Sequence, residues 1–503
     1  MYIKEHTRPG RSLPGADPGE CRYIRQKQES DTGFQLFQNT QSVLCYLIMV
    51  AVILLLVYRD VMGGSVNKYV FCVLIIPYLL LAEEDNALIL FGFLMPLYVG
   101  LPRNFITPVF LLKLLIGKNV SLHLKELLCT VFLMAFMLFQ NFLYGFTGMY
   151  NMICIVELPL VYMIMFRNDR KANSDFILAY SIGTAVTGVV MLTASLRQVS
   201  LSELLNVASR LGDYQYSEGM SINLDPNFYG LFVITAITCD WLLVQNGIFT
   251  GMRKTLALVS ALVSIPVAFI GLSRGFILCL AIWAVLTMLF GKKLGSKVKI
   301  VFMGTVLVAA AFILFPNVLQ SLIQRFQGSD VTMTTDNGRV DLLQRYGSLW
   351  LSSVQTILIG IGLFVSEAHC MQAQFLYALG IVGSIPLFTL GFLYFRYSLL
   401  GQKVKAEPII PLIVIQICSA MLPGARTLTF MMPVVISFLV MQVYYGEVTA
   451  AENEEASREE QSIYLRKRSG SYATQYLAGD SSRSSDKPRL PGKGLPESTL
   501  IRP

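Results

Sequence analysis

Long hydrophobic runs alternate with short polar connections between residues 42 and 445. Many of these runs approach the roughly 17–25 residues that an α-helix needs to cross the hydrocarbon core of a bilayer. Runs such as 50–57 are apolar on every face, whereas the strands of an outer-membrane barrel alternate apolar and polar positions over about ten residues. The pattern therefore predicts an all-α bundle of transmembrane helices.

The runs that are bounded by charges or turn residues predict about 12–14 membrane spans. We place them at 42–58, 68–82, 87–101, 104–117, 126–145, 149–166, 175–195, 226–246, 254–271, 275–290, 298–315, 373–396, 408–423 and 428–446. A basic segment, 1–41, precedes this membrane domain of residues 42–446. The tail that follows, 447–503, has little apolar material to bury, and we expect it to be disordered in the cytoplasm.

Two long connections, 196–225 and 316–371, are predicted to face outward. The second contains a further apolar stretch, 348–364. A crossing there would move all later lysines to the outer side, against the positive-inside rule. We therefore expect a large outer loop with short helices, in which this stretch is one helix that lies in or dips into the outer interface.

Composition and charge agree with a membrane protein. The chain is 54% hydrophobic and 14% charged, against about 45–50% and 25% in soluble domains. Lysines fall mostly in the connections predicted to be cytoplasmic, which places both termini in the cytoplasm. One cluster opposes this charge pattern, namely Glu83, Glu84 and Asp85 in a connection predicted to be cytoplasmic.

The cations predicted to face outward are nearly all arginines. They are Arg59, Arg103, Arg197, Arg210, Arg274, Arg325, Arg339, Arg345 and Arg426, with Lys68 as the exception. A guanidinium presents a planar fork of donors that binds phosphate oxygens bidentately, so an outer site for a diphosphate or another polyanion is suggested. The alternative is that these arginines reach for the membrane interface or pair with acids in the loops. That alternative is weaker for Arg274, which lies between two apolar runs with almost no loop.

Few other side chains are candidates for chemistry. His369 lies in the large outer loop, where an imidazole could take a proton near neutral pH or simply be a surface residue. Glu157 and Asp240 lie within apolar runs, positions that often mark ion or proton paths. Signatures for binding nucleotides or zinc are missing, so we expect neither a metal nor a cofactor.

Several short pieces of sequence follow one another between residues 220 and 395. They are Asp-Pro-Asn-Phe-Tyr at 225–229, Leu-Ser-Arg-Gly at 272–275, Asn-Gly-Arg at 337–339 leading to Ile-Gly-Ile-Gly at 359–362, and His369 followed by 374–376 and 379–383. In this order and spacing they resemble the bacterial O-antigen ligase and O-antigen polymerase family of membrane glycosyltransferases. Two positions depart from the family pattern: Leu342 and its neighbours stand where the family often has Trp, and Cys370 stands where it often has Asn or Ser.

The resemblance implies a glycosyltransferase that needs no metal and no nucleotide. A glycan carried on a polyprenyl diphosphate, such as undecaprenyl diphosphate, would pass to a hydroxyl of an acceptor glycan at the outer face of the bacterial cytoplasmic (inner) membrane. Arg274 and Arg339 would stabilise the departing diphosphate, and His369 would act as general base. The residues expected to bind the diphosphate or the glycan are Arg210, Arg345, Arg197, Asp225 and Asn227.

We expect a polymerase of surface-polysaccharide repeat units, for a capsule, an exopolysaccharide or O-antigen. A ligase that moves a lipid-linked glycan to another acceptor is the nearest alternative. A transporter or flippase is a further alternative, which Glu157 and Asp240 favour, although the two halves of the sequence show no symmetry. The expected partners are the lipid-linked donor, the glycan acceptor, membrane lipid and a chain-length regulator or flippase of the same pathway, but no nucleic acid.

Overall fold

The computed structural model of the chain describes residues 40–117, 119–145, 149–204, 211, 224–271, 273–291, 295, 297–298, 339–362, 368–422 and 431–450. Contacts divide the chain into two units, Met1–Gly446 and Glu447–Pro503. The predicted segment 1–41, most of the predicted span 298–315, and all but the first residues of the tail lie outside the described residues. So do the predicted site residue Arg210 and the outer arginines Arg325 and Arg426.

Helices make up most of the described chain. In order they are α1 (Thr40–Val61), α2 (Lys68–Leu81), α3 (Glu84–Leu94, followed by the 3₁₀ turn Met95–Gly100), α4 (Arg103–Ile116), α5 (Leu124–Tyr144), α6 (Met149–Met165), α7 (Arg170–Leu196), α8 (Leu201–Leu204), α9 (Pro226–Gln245), α10 (Gly251–Ile270), α11 (Arg274–Phe290), α12 (Arg339–Trp350), α13 (Val354–Ile359), α14 (Met371–Ser398), α15 (Ala406–Ser419) and α16 (Met431–Ala450). The predicted all-α membrane bundle is confirmed.

Seven of these helices are long and apolar enough to cross a bilayer: α1, α5, α7, α9, α10, α14 and α16. Shorter apolar helices lie at α2, α11, α15 and residues 152–165 of α6. Every span predicted within the described residues corresponds to a helix, because long apolar runs have few other ways to satisfy their backbone in lipid.

The prediction of one helix over 348–364 is wrong in its extent. Residues 351–353 interrupt it, so that α12 ends at Trp350 and α13 covers only Val354–Ile359. The new helix begins at a capping box: the Ser353 hydroxyl accepts the Thr356 N–H at 3.1 Å, and the Thr356 hydroxyl accepts the Ser353 N–H at 3.1 Å. Two short helices therefore replace the predicted one, and neither is long enough to cross a membrane.

Helix α7 lies inside the bundle, as α9 and α16 do. In its most apolar window 72% of the residues are buried, and in α9 and α16 78% are, compared with 33% in α5 or α10. Its serine and threonine hydroxyls donate to carbonyls of their own helix, as Thr184 does to the Tyr180 carbonyl at 2.9 Å, so these polar groups are satisfied inside the bundle. A Cβ at Gly183 would collide with the Phe93 carbonyl, so this glycine lets α3 approach α7 closely.

Contacts between helix termini define two ends of the bundle. At the first, which we call the Arg167 end, Arg170 donates to the Gly446 carbonyl at 2.8 Å, and Arg253 pairs with Asp175 at 2.7 Å. Helix α7 begins there. At the second, which we call the Arg274 end, α7 finishes and both α9 and α11 begin.

The acidic cluster that opposes the charge pattern lies at the Arg167 end. Arg167 is fully buried, and its guanidinium pairs with Glu84 at 2.8 Å and with Asp85. The two acids are therefore partly neutralised within the fold, which gives a physical reason why they can stand where lysines are expected.

Candidate functional site

The sequence piece 225–229 meets the described part, 273–275, of a second piece at the Arg274 end. Asp225 caps α9 by accepting the Asn227 N–H at 2.7 Å, and Pro226 occupies the first helical position. The Ser273 hydroxyl donates to the Asn227 side-chain oxygen at 3.0 Å and accepts the Phe276 N–H at 3.3 Å. One serine thus caps α11 and ties it to the start of α9.

Arg274 is the first residue of α11 and is half-buried. None of the ion pairs among the described residues involves it. The amino terminus of a helix carries a partial positive charge, which adds to that of the guanidinium. This arrangement favours binding of an anion.

The first turn of α14 joins the same end. Gly275 approaches the Met421 sulfur beyond α15, with its Cβ position 3.6 Å away, and α11 packs along α15. The Gln372 amide donates to the Gln416 side-chain oxygen at 2.9 Å, which fixes the start of α14 to the finish of α15. His369 lies three residues before Gln372, so these contacts place it at the Arg274 end as well.

His369 is partly exposed and has a left-handed backbone, with φ of 44°. That conformation costs a non-glycine residue about 1–3 kcal/mol and persists only where the surroundings hold it. The neighbouring Cys370 thiol donates to the Gln372 side-chain oxygen at 3.7 Å. His369 therefore stands in a strained backbone conformation two residues before α14 begins.

Two further pieces of the sequence, 359–362 and 379–383, cross each other. Gly380 interrupts α14 with φ of 61°, and Gly360 has φ of 87°. A Cβ on either glycine would collide with the backbone of the other segment. These glycines are therefore required both by their backbone conformation and by the close approach.

The remaining predicted arginines differ in their surroundings. Arg197 is exposed, and its guanidinium donates to the Val61 carbonyl at 2.6 Å, where α1 finishes. Arg59 is buried, forms a bidentate pair with Asp60 at 2.7 and 2.8 Å, and donates to the Gly100 carbonyl. Arg59 is therefore a structural arginine that pairs with an acid, which is the alternative to phosphate binding.

Helix α12 carries Arg339 at its first position and Arg345 on an exposed face. It packs on α14 through Trp350, whose ring lies 5.7 Å from that of Tyr377. The contacts described above bring Asp225, Asn227, Arg274 and His369 to the Arg274 end, whereas the contact described for α12 is its packing on α14.

An apolar groove opens beside His369, at a place where no pattern in the sequence predicts one. It has a volume of about 350 Å³ and lies between α6, α14, α15 and α16. One end is lined by Met371 and Gln372, which directly follow His369 and Cys370 in the chain, and by Gln416 of α15. The other lining residues are apolar or aromatic and continue along α14 to Tyr394 and Phe395. Hydrophobic positions that face a groove look the same in sequence as those that face lipid, so the pattern could not reveal it.

Glu157 and Asp240 are both buried in the bundle. Neither Asp240 carboxylate oxygen has a hydrogen-bond partner among the described residues. No group of three or more His, Cys, Asp or Glu side chains in the described part of the chain is placed to hold a metal ion.

No protein-family model matches the chain, and no curated protein matches it significantly. The resemblance to the O-antigen ligase and polymerase family therefore stays a prediction that rests on the sequence pieces themselves. The functional roles of the site residues likewise stay predictions, and the contacts described above decide only which of those residues share one end of the bundle.

Proposed function

We propose that the protein is a membrane glycosyltransferase that moves a glycan from a polyprenyl diphosphate to a hydroxyl of an acceptor glycan. It would act at the outer face of a bacterial cytoplasmic membrane and elongate a surface polysaccharide. The observation that carries this proposal is the apolar groove, which ends at Gln372 and thus beside His369. A long isoprenoid chain in this groove would leave its diphosphate at the end of the bundle that holds Arg274.

The proposed chemistry needs a cation and a base near each other. The glycosidic carbon is attacked by the acceptor hydroxyl, the bond to the diphosphate breaks, and the diphosphate leaves with the electron pair. Arg274, reinforced by the start of α11, would stabilise the negative charge that develops on it, with Arg339 as a second cation. His369 would take the proton from the acceptor hydroxyl. The hydrogen bond between the Ser273 hydroxyl and the Asn227 side-chain oxygen would hold the neighbouring Arg274 in place.

Filling the groove tests the proposal. Gly391 lines the groove on α14, and a Cβ there would meet no other atom within 4 Å, so Gly391→Phe adds bulk without a clash at the backbone. We expect the half-saturating concentration of lipid-linked repeat unit to rise at least tenfold, with normal abundance in the membrane. The assay measures the ladder of elongated glycans that membranes form from lipid-linked single units.

Ile385→Phe is the matched control. Ile385 is 62% exposed on the same helix and does not line the groove, so the same aromatic ring is added outside it. The control is expected to elongate glycans normally. If the half-saturating concentration of lipid-linked repeat unit is the same in Gly391→Phe and in the unmodified protein, the groove does not bind the donor. The proposal then loses its main support.

The reaction product separates this proposal from the ligase alternative. A polymerase makes a ladder on the lipid carrier, whereas a ligase transfers one completed chain to another acceptor. One observation favours the transporter alternative, namely Asp240 buried in the bundle with no hydrogen-bond partner among the described residues. A flippase would leave lipid-linked units on the cytoplasmic side when lost, whereas loss of a polymerase leaves single units exposed outside.

A further inference from the structure

We propose that Gln140 is a positioning residue that sets the location of His369 by clamping the break in α14. This inference rests on the proposed function for its catalytic consequence, although the clamp itself is tested without it. Gln140 lies on α5, far from His369 in sequence, and nothing in its own neighbourhood of the sequence points to a role.

The break in α14 is held by backbone bonds from the preceding segment. Because Gly380 is not helical, it interrupts the regular bonding of the helix around it. The Ile361 N–H donates to the Tyr377 carbonyl at 2.9 Å, and the Gly362 N–H donates to the Ala378 carbonyl at 3.1 Å. Non-helical backbone at membrane depth is tolerated only where such partners exist.

Gln140 adds a side-chain bridge across the same crossing. Its amide nitrogen donates to the Ala378 carbonyl at 2.8 Å and also to the Ile359 carbonyl. Both amide hydrogens are therefore used, one on each segment. One turn later on α5, the Tyr144 hydroxyl donates to the Gly360 carbonyl at 2.6 Å. Gln140 is 2% exposed, so water does not compete for these bonds.

The clamp lies at the base of the loop that contains His369. The chain leaves the crossing at Gly362 and returns to it at Tyr377, and His369 lies between these two points. The outer part of α14, from Met371 to the break, also carries Gln372 at the groove. If the crossing loosens at Gly380, the histidine and the mouth of the groove move together relative to Arg274.

The test replaces the donor and keeps the size of the side chain. Gln140→Met removes both hydrogen bonds in a side chain of similar length. Asn141→Leu is the matched control, because Asn141 is a buried amide one residue along whose nitrogen has no partner among the described residues. Tyr144→Phe removes only the hydrogen bond to the Gly360 carbonyl. It is the second test variant and replaces Gln140→Met if that protein does not accumulate in the membrane.

The first readout follows the loop directly. A membrane-impermeant maleimide labels Cys370 on intact cells, with Cys370→Ser cells as the background. We expect the labelling rate of Cys370 to change at least threefold in Gln140→Met and less than 1.5-fold in Asn141→Leu. An unchanged labelling rate in both Gln140→Met and Tyr144→Phe would overturn the clamp.

The second readout is kinetic. Turnover in the elongation assay is expected to fall at least tenfold in Gln140→Met, while the half-saturating donor concentration changes less than twofold, because the groove itself is intact. In Gln140→Glu only the protonated side chain can donate, so its activity relative to the unmodified protein should rise as the pH falls. A relative activity that is independent of pH would contradict a role through hydrogen-bond donation.

The two proposals fail in different ways. If the maleimide result is as expected but even the unmodified protein elongates no glycan, the clamp stands and the glycosyltransferase proposal falls. If the unmodified protein elongates glycans and Gln140→Met does so equally fast, Gln140 does not position the catalytic group.

Discussion

Arg167 and Arg274 lie at opposite ends of the same bundle and have opposite surroundings. Arg167 is fully buried between Glu84 and Asp85, so its charge is matched within the protein. Arg274 is half-buried at the start of α11, and no acid among the described residues pairs with it. The first arginine is committed to the fold, whereas the second has a charge that remains available to a ligand.

An arginine on the predicted outer side of the membrane is not necessarily free to bind a ligand. Arg59 is predicted to face outward like Arg274, yet it is buried and paired with its neighbour Asp60. Position in the topology therefore does not separate structural arginines from binding ones. What distinguishes the two kinds of arginine is whether an acidic side chain lies next to the guanidinium. In a buried ion pair neither charge is free to bind a ligand.

The largest expected effect is the loss of stability in Arg167→Ala. Removing the arginine leaves two carboxylates uncompensated, which costs about 3–5 kcal/mol for a fully buried pair. Because the Glu84 and Asp85 side chains are 15% and 46% exposed, we expect about 3 kcal/mol, the lower end of that range. Thermal unfolding of the purified protein in detergent measures it. The triple change Arg167→Met, Glu84→Gln and Asp85→Asn should recover most of the loss, and failure to do so would mean that the pair matters for more than charge balance.

Next in size is the loss of activity in Arg274→Ala. Removing a preorganised group that stabilises developing charge costs about 10²–10³ in rate, and we expect a drop of that size with unchanged abundance in the membrane. Arg396→Ala, which removes an exposed guanidinium from the last turn of α14, is the control and should keep most of the activity. If Arg274→Lys is as active as the unmodified protein, a point charge is sufficient and bidentate recognition is ruled out.

The smallest expected effect comes from Ser273→Ala. This change removes the cap of α11 and the bond to Asn227, which together are worth about 1 kcal/mol. The control is Ser353→Ala, which removes the cap of a different helix, α13. Both variants should lose similar stability, but only Ser273→Ala should slow elongation. If Ser273→Ala and Ser353→Ala elongate glycans at the same rate, Ser273 stabilises the start of α11 but does not position Arg274.

Much of the fold was predictable because each apolar run carries its own signal. The start of α9 at Asp225 and Pro226 and that of α11 at Ser273 follow from capping chemistry that is local in sequence. The gap between α12 and α13 was also within reach, since Ser353 and Thr356 have the spacing of a capping box, but the apolar residues around them outweighed it.

The parts that could not be predicted depend on contacts between distant segments. Gln140 meets Ile359 and Ala378, which lie 219 and 238 residues away. The groove forms from four helices that no local pattern links. Glycines 360 and 380 were visible as part of two sequence pieces, yet only the structure brings the pieces together. Local chemistry therefore predicted the helices, and long-range packing built the candidate site.

The ion-paired cluster of Arg167, Glu84 and Asp85 also has a consequence for biosynthesis. Glu84 leaves the ribosome 83 residues before Arg167, so the acids at the start of α3 have no arginine partner when their helix is first made. Until Arg167 has been made, the Glu84 carboxylate must stay hydrated, because burying it without its partner is costly, whereas Asp85 keeps a 46% exposed side chain even in the complete fold. The start of α3 can therefore take its final, mostly buried position at Glu84 only after translation has passed Arg167.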